Sequence, residues 1–168
     1  MNKPIHPIFY TVTVCTVAKK APKIELTYNR AGHSIDAPGK GPKLYLVTSK
    51  KEIVYVGISR QSLAARLRYG FNANGKNGYH GYRWAKTNGR YCVHCWLFDE
   101  TLDDKELETI EAEIVFLLRK DTEQWPKHQT EIHFHESTKY HRQIAARLTK
   151  VPKIGLSDRS TLGLVWKK

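Results

Sequence analysis

Residues 43–58 read KLYLVTSKKEIVYVGI, two runs rich in β-branched and aromatic residues on either side of the polar tip Ser49-Lys50-Lys51. That pattern predicts a β-hairpin with strands over 44–48 and 52–58. Strand side chains alternate between faces, so Leu44 and Leu46 point one way and Tyr45 and Val47 the other. On the return strand Val54 and Val56 share a face, as do Ile53, Tyr55 and Gly57. Pairing symmetric about Lys50 sets Tyr45 across from Tyr55 and Leu46 across from Val54. One face is then aliphatic. The other carries two tyrosines beside a glycine that lets another group approach closely. Aromatic cross-strand pairs also stabilise hairpins by about 0.2–1 kcal/mol with no chemistry attached, so the pair alone does not define a site.

Working outward, a helix is expected over 59–67, with Leu63 and Leu67 one turn apart on its apolar face. A Gly- and Asn-rich loop follows over 71–81, then a short helical piece at 82–86 and a strand at 91–98. The clearest helix spans 101–120. Leu107, Ile110 and Ile114 keep helical spacing, Thr101 and Asp104 resemble a capping box, and Arg119 and Lys120 complement the C-terminal dipole. A short strand at 131–135, a helix at 138–148 and a tail reaching 162–166 complete that side. Upstream, strands are expected at 8–17 and 23–28. The stretch 31–42, with three glycines and two prolines, reads as a loop. The predicted fold is α+β: a small antiparallel or mixed sheet flanked by helices. Residues 1–41 form an N-terminal β extension packed on a core over 42–135. Residues 136–168 add a C-terminal helix and tail within one structural domain.

The chain has 168 residues, enough for a real core without staples. Twenty-eight Lys and Arg against sixteen Asp and Glu give +12 and a pI near 9.7. Such a field attracts polyanions, so nucleic acid is the default partner. No apolar run approaches the ~20 residues that span a bilayer, and residues 1–10 lack a signal-peptide apolar core. Membrane association is therefore not expected. Three cysteines without an evident framework fit a reducing, cytoplasmic setting.

Lys43-Leu44-Tyr45, nine intervening residues and then Tyr55-Val56-Gly57 together resemble the signature of the GIY-YIG nuclease superfamily. Arg66-Leu67 on the following helix resembles the family's helical arginine. Ile110-Glu111-Ala112-Glu113, followed by Phe116-Leu117-Leu118-Arg119, resembles its glutamate helix. The resemblance covers roughly residues 42–135 and extends to group I intron homing endonucleases and to the nuclease half of the bacterial nucleotide-excision incision subunit. It implies a metal-dependent endonuclease that hydrolyses phosphodiester bonds in DNA, single- or double-stranded, with Mg²⁺ or Mn²⁺ as cofactor. The catalytic set it implies is Tyr45, Tyr55, Arg66 and Glu113. Cutting both strands with a single metal site implies a homodimer.

Each residue type suits its role. A glutamate can hold one Mg²⁺ that keeps most of its waters and that stabilises the leaving oxygen. A guanidinium matches phosphate geometry. A tyrosine serves as base only if nearby cations lower its pKa from about 10; Tyr45 is preferred over Tyr55 for that role. Glu108, Glu111 and Glu113 share one helix, and Glu111 and Glu113 point about 200° apart. Glu113 lies at the edge of the apolar stripe, and the family's glutamate follows an acidic neighbour by two residues. Glu113 is therefore expected to bind the metal, with Glu111 as the alternative. Without the tyrosines all three would read as solvated helix charges.

Substrate contacts are expected from Gly57, Arg60, Arg68, Tyr69, Gln129 and His133. Four departures from the family stand out. Lys43 replaces the first glycine of the signature. Ile58 stands where many members have a lysine, which Arg60 would have to replace. Gly70 stands where a His or Tyr is common, with Tyr69 one residue early. Gln129 stands in for the family's asparagine and would hold either a phosphate or the hairpin. Two other function classes remain open: a nucleic-acid-binding module with weak or no cleavage, and a zinc-stabilised protein built on Cys92-x-x-Cys95. On a strand those two cysteines face opposite sides, which argues against zinc. The 72–86 stretch mixes Asn72, Asn74, Lys76, Asn77, Arg83 and Lys86 with Tyr79, Tyr82 and Trp84, a combination suited to stacked bases and phosphates.

Overall fold

Among the described residues the β-branched and aromatic runs form five strands of one antiparallel sheet: β1 (Ile8–Thr16), β2 (Lys23–Glu25), β3 (Lys43–Ser49), β4 (Glu52–Ser59) and β5 (Gly89–Leu97). Their order across the sheet is β2-β1-β5-β3-β4. The coordinates are a computed structural model that describes residues 8–16, 23–25, 40–50, 52–76 and 78–150. The expected tail at 162–166, nearly all of the 31–42 loop and the end of the predicted strand at 23–28 lie outside the described residues. β5 sits in the centre, so Cys95 is paired with Tyr10 on one side and Tyr45 on the other. β1 thus extends the same sheet that contains the hairpin.

Among the described residues three helices cover the sheet: α1 (Leu63–Asn72), α2 (Asp104–Thr122) and α3 (Lys139–Leu148). A 3-10 turn occupies Trp84–Lys86. α1 begins later than the apolar spacing suggests because Ser62 is its N-cap, its hydroxyl accepting from the Ala65 N–H at 3.2 Å. α2 begins after a reciprocal capping box between Asp103 and Glu106, two residues beyond the expected Thr101–Asp104 pair. Residues 131–135 do not form the expected strand. Side-chain ties, described below, hold them against α2 instead.

Strand alternation divides the core into two layers. Leu44, Leu46, Val56 and Trp96 pack with Leu107, Ile110 and Ile114 of α2 and Ile144 and Leu148 of α3. Tyr45, Val47, Val93 and Cys95 pack on the opposite face with Leu63 and Leu67 of α1 and with Tyr82 and Trp84.

The hairpin register differs from the symmetric expectation. Tyr45 lies across from Gly57, Leu46 across from Val56 and Val47 across from Tyr55, whereas nearer the turn Thr48 lies across from Ile53. One residue of β4, Val54, is therefore extra, and the irregularity is a β-bulge. The bulge moves Val54 to the tyrosine face, away from Val56, and makes Tyr45 and Tyr55 diagonal neighbours. Backbone groups freed along edge strand β4 find partners in the 128–129 segment. The His128 N–H donates to the Val54 carbonyl at 2.8 Å, and the Val56 N–H donates to Gln129 Oε1 at 2.9 Å. The edge is thereby closed to pairing with another chain at these positions.

Candidate active site

The tyrosine face of the hairpin meets α1 and the segment after it. Tyr45 is fully buried. Its hydroxyl is 2.9 Å from that of Tyr82 and accepts from Arg66 Nε at 3.4 Å. The Tyr82 hydroxyl in turn lies 3.4 Å from the Arg66 carbonyl. The Tyr55 ring is 6.1 Å from that of Tyr45 and 5.6 Å from that of Tyr82. The arrangement needs Gly57: a Cβ there would lie 2.6 Å from Tyr45 Cζ and Oη and 2.8 Å from the Tyr55 ring. It needs Gly70 equally, since a Cβ at that position would lie 2.2 Å from the Tyr82 ring.

Tyr82 is the residue that sequence reasoning missed as a member of this centre. Gly70, by carrying no side chain, makes room for a phenol delivered from the 72–82 loop. The available signal was the glycine at a position where a His or Tyr was expected, followed by a Tyr-rich loop. Tyr69, the adjacent candidate, does not enter the centre; it is half-exposed and stacks on Tyr79 at 5.1 Å. The Arg66 guanidinium sits 5.4 Å from the Tyr79 ring centre and 5.9 Å from that of Tyr82.

The acidic side of the centre comes from Glu111. Residues 111 and 113 point to different sides of α2, and the electrostatics separate them. Glu113 acts on His141 of α3, on the helix-packing side. Glu111 is buried, influences Tyr55, and is itself influenced by Arg66. The expectation that Glu113 enters the site is therefore corrected to Glu111. Position 113 lies on the edge of α2 nearer α3, where its charge acts on His141.

Burial, with the Glu108 charge next in weight, pushes the Glu111 carboxyl up to about 8. Among the described residues it makes no hydrogen bond or ion pair. Its folded-state pKa is therefore raised above the ordinary value near 4.5. Stability from this group is fully present below that ordinary value and is lost as pH rises towards 8. Without added metal, Glu111→Gln is expected to raise Tm by about 5 °C at pH 9 and to leave it almost unchanged at pH 5. Thermal melts in EDTA at the two pH values measure this; equal shifts at both would contradict it.

The neighbouring acid is engaged. Glu108 Oε2 is 2.6 Å from His135 Nε2, and Glu108 Oε1 is 3.3 Å from His133 Nδ1. Hydrogen bonds from His135 and then His133 hold the Glu108 carboxylate below its usual range. His133 also contacts Glu131 at 3.2 Å, and the bonds to Glu108 and Glu131 raise its pKa. His133, expected to contact substrate, is thus tied into a chain of acids beside the centre.

Other candidates divide similarly. Gln129 holds the hairpin: its Oε1 accepts from Val56 and its Nε2 donates to the Glu131 carbonyl at 3.1 Å. Arg60 is committed to Asp104 and to the Leu102 carbonyl at 2.6 Å, with Glu100 nearby, and so locks β4 to the start of α2. Ile58 packs with the aliphatic layer. Neither residue brings a cation to the phenols; among the described residues Arg66 does so. Lys43 is buried and donates to the Gly41 carbonyl at 2.9 Å. Arg68 is exposed on α1.

The preference for Tyr45 as base does not fit its surroundings. Burial, reinforced by the Tyr82 phenol, lifts Tyr45 well above its ordinary value, with Arg66 the opposing influence. Burial and Tyr45 raise Tyr55 in the same way. Tyr55 is the one of the pair with partial exposure.

Cys92 is partly exposed and Cys95 lies in the tyrosine-side core; neither forms a disulfide. Among the described residues no group of three or more His, Cys, Asp and Glu side chains is arranged to hold a metal. Among those residues no helix is long and apolar enough to cross a membrane. No protein-family model matches the chain, and no curated protein or solved structure matches it either.

Proposed function

We propose that this protein is a GIY-YIG-type nuclease that hydrolyses phosphodiester bonds in DNA with the help of Mg²⁺ or Mn²⁺. The observation that carries the reading is Glu111. Its carboxyl, on a residue only 9% exposed, has no hydrogen-bond or ion-pair partner among the described residues and lies within electrostatic reach of Arg66 and Tyr55. Holding an unpartnered carboxylate largely out of water is costly, and a divalent cation is a partner that would offset that cost. A lone protein carboxylate fits Mg²⁺, which takes its remaining ligands from water and phosphate oxygens. A cation held by Glu111 supplies Lewis-acid neutralisation of charge on the phosphodiester and its leaving oxygen.

The chain's own residues supply the rest. Arg66, fixed against the phenol of Tyr45 and the rings of Tyr79 and Tyr82, offers its guanidinium to a phosphate. Tyr45 and Tyr82 hold that guanidinium and each other in register. Tyr55, partly open to solvent, is the phenol suited to orient an attacking water. With both phenols raised by burial, their resting role is hydrogen bonding rather than proton abstraction. The net charge of +12 suits a polyanionic substrate. Incubating the purified chain with supercoiled plasmid and with single-stranded DNA, plus and minus Mn²⁺ or Mg²⁺, tests the proposal. Nicking that requires metal and stops with EDTA is expected. Metal-independent binding without any cleavage would replace the reading with that of a binding module.

A further inference from the structure

A groove of about 560 Å³ lies beside the centre, between α1 and the residues that follow it. It is lined by Gln61, Arg68, Tyr69, Asn72, Lys76 and Tyr79, among others. Two cations and several amides line it, and no acid does, so its walls complement an anion that also carries hydrogen-bonding edges. The volume falls in the range of pockets that enclose one small organic ligand. Its aromatic wall is a ready-made stacking surface: Tyr69 and Tyr79 lie 5.1 Å apart and 8° from parallel, and Tyr69 remains 50% exposed.

Tyr79 joins this groove to the proposed active centre. Its ring lies under the Arg66 guanidinium as well as against Tyr69. Its hydroxyl is buried and has no hydrogen-bond partner among the described residues.

We infer that this groove holds one unpaired nucleotide next to the scissile phosphate, its base stacked on Tyr69 and its phosphates met by Arg68 and Lys76. The inference rests on the nuclease reading and adds a substrate class: strands with a locally unpaired nucleotide, as in a flap, bulge, overhang or single strand. A base held in a duplex keeps its faces covered by its neighbours, so only an unstacked base can offer a face to Tyr69.

The test is binding by fluorescence anisotropy in EDTA, with a fully paired duplex and with the same duplex carrying a short single-stranded flap. A 2-aminopurine in the flap reports stacking through its quenching. The wild-type chain is expected to bind the flapped substrate about tenfold more tightly than the duplex and to quench the probe. Tyr69→Ala should remove that difference and the quenching, while Tyr69→Phe should keep both, because the ring rather than the hydroxyl stacks. Equal affinity of the wild type for both substrates, or a Tyr69→Ala variant that retains the preference, overturns the inference. Because no arm requires cleavage, the two readings fail separately. Metal-dependent nicking without a Tyr69-dependent preference sinks the groove alone. A Tyr69-dependent preference without nicking sinks the nuclease reading alone.

Discussion

Glu111→Gln is expected to lower metal-dependent DNA cleavage by at least about a thousandfold, while Glu113→Gln stays within about threefold of the parent. The contrast follows from placement on α2. Glu111 lies within electrostatic reach of Arg66 and Tyr55, and Glu113 within reach of His141 on α3. Glutamine matches glutamate in size but carries no charge, so the variant keeps the packing and removes the carboxylate proposed to hold the cation. DNA affinity measured without metal should hold or rise slightly, since a potential negative charge leaves a basic surface. Initial rates on plasmid at saturating Mn²⁺, together with anisotropy in EDTA, separate the two effects. Loss of activity in Glu113→Gln with full activity in Glu111→Gln would reverse the assignment of the metal ligand.

That assignment illustrates where the sequence was legible and where it was not. Strand alternation placed Leu44 and Leu46 against the helices, and helical spacing placed Leu107, Ile110 and Ile114 in the same layer. These features depend only on local period. The hairpin register was not local: one extra residue at Val54 shifts every pair beyond it, and the tie that holds the bulge comes from His128, more than seventy residues away. Glu111 and Glu113 differ only in which neighbour α2 presents to each, and the docking of α3 decides that. Tyr82 could not be read as part of the centre because a loop carries it there, past Gly70 and Gly81. A Cβ at Gly81 would lie 2.1 Å from the Gly70 carbonyl. Arg60 and His133 were legible as basic residues near the right elements, but their acidic partners come from α2 and its approach. What pattern reveals is which residues share a face. What it conceals is which of several like residues tertiary packing leaves unpartnered.

Gly57→Ala is expected to destabilise the protein by about 1–3 kcal/mol and to lower cleavage by roughly a hundredfold. The backbone at this position is not in the left-handed region, so alanine meets no conformational obstacle there. In an open strand the exchange would add about 0.4–1 kcal/mol of stability through the unfolded chain. The methyl group decides the sign, because it would lie 2.6 Å from Tyr45 Cζ and Oη, inside any attainable contact. Tyr45 is fully buried between the sheet and α1, with its hydroxyl bonded to Tyr82 and Arg66, so it has no free space to enter. Relief must come from displacing the ring or lifting β4, and either moves Arg66 or Tyr55 away from its partner. Displacement of about 1 Å is enough for the expected loss in rate. Melts and cleavage rates taken well below Tm distinguish this from unfolding: the folded variant should remain slow. An alanine variant that melts and cleaves like the parent would mean that the Tyr45 ring does not lie over Gly57, and the phenol–guanidinium centre would lose its geometric basis.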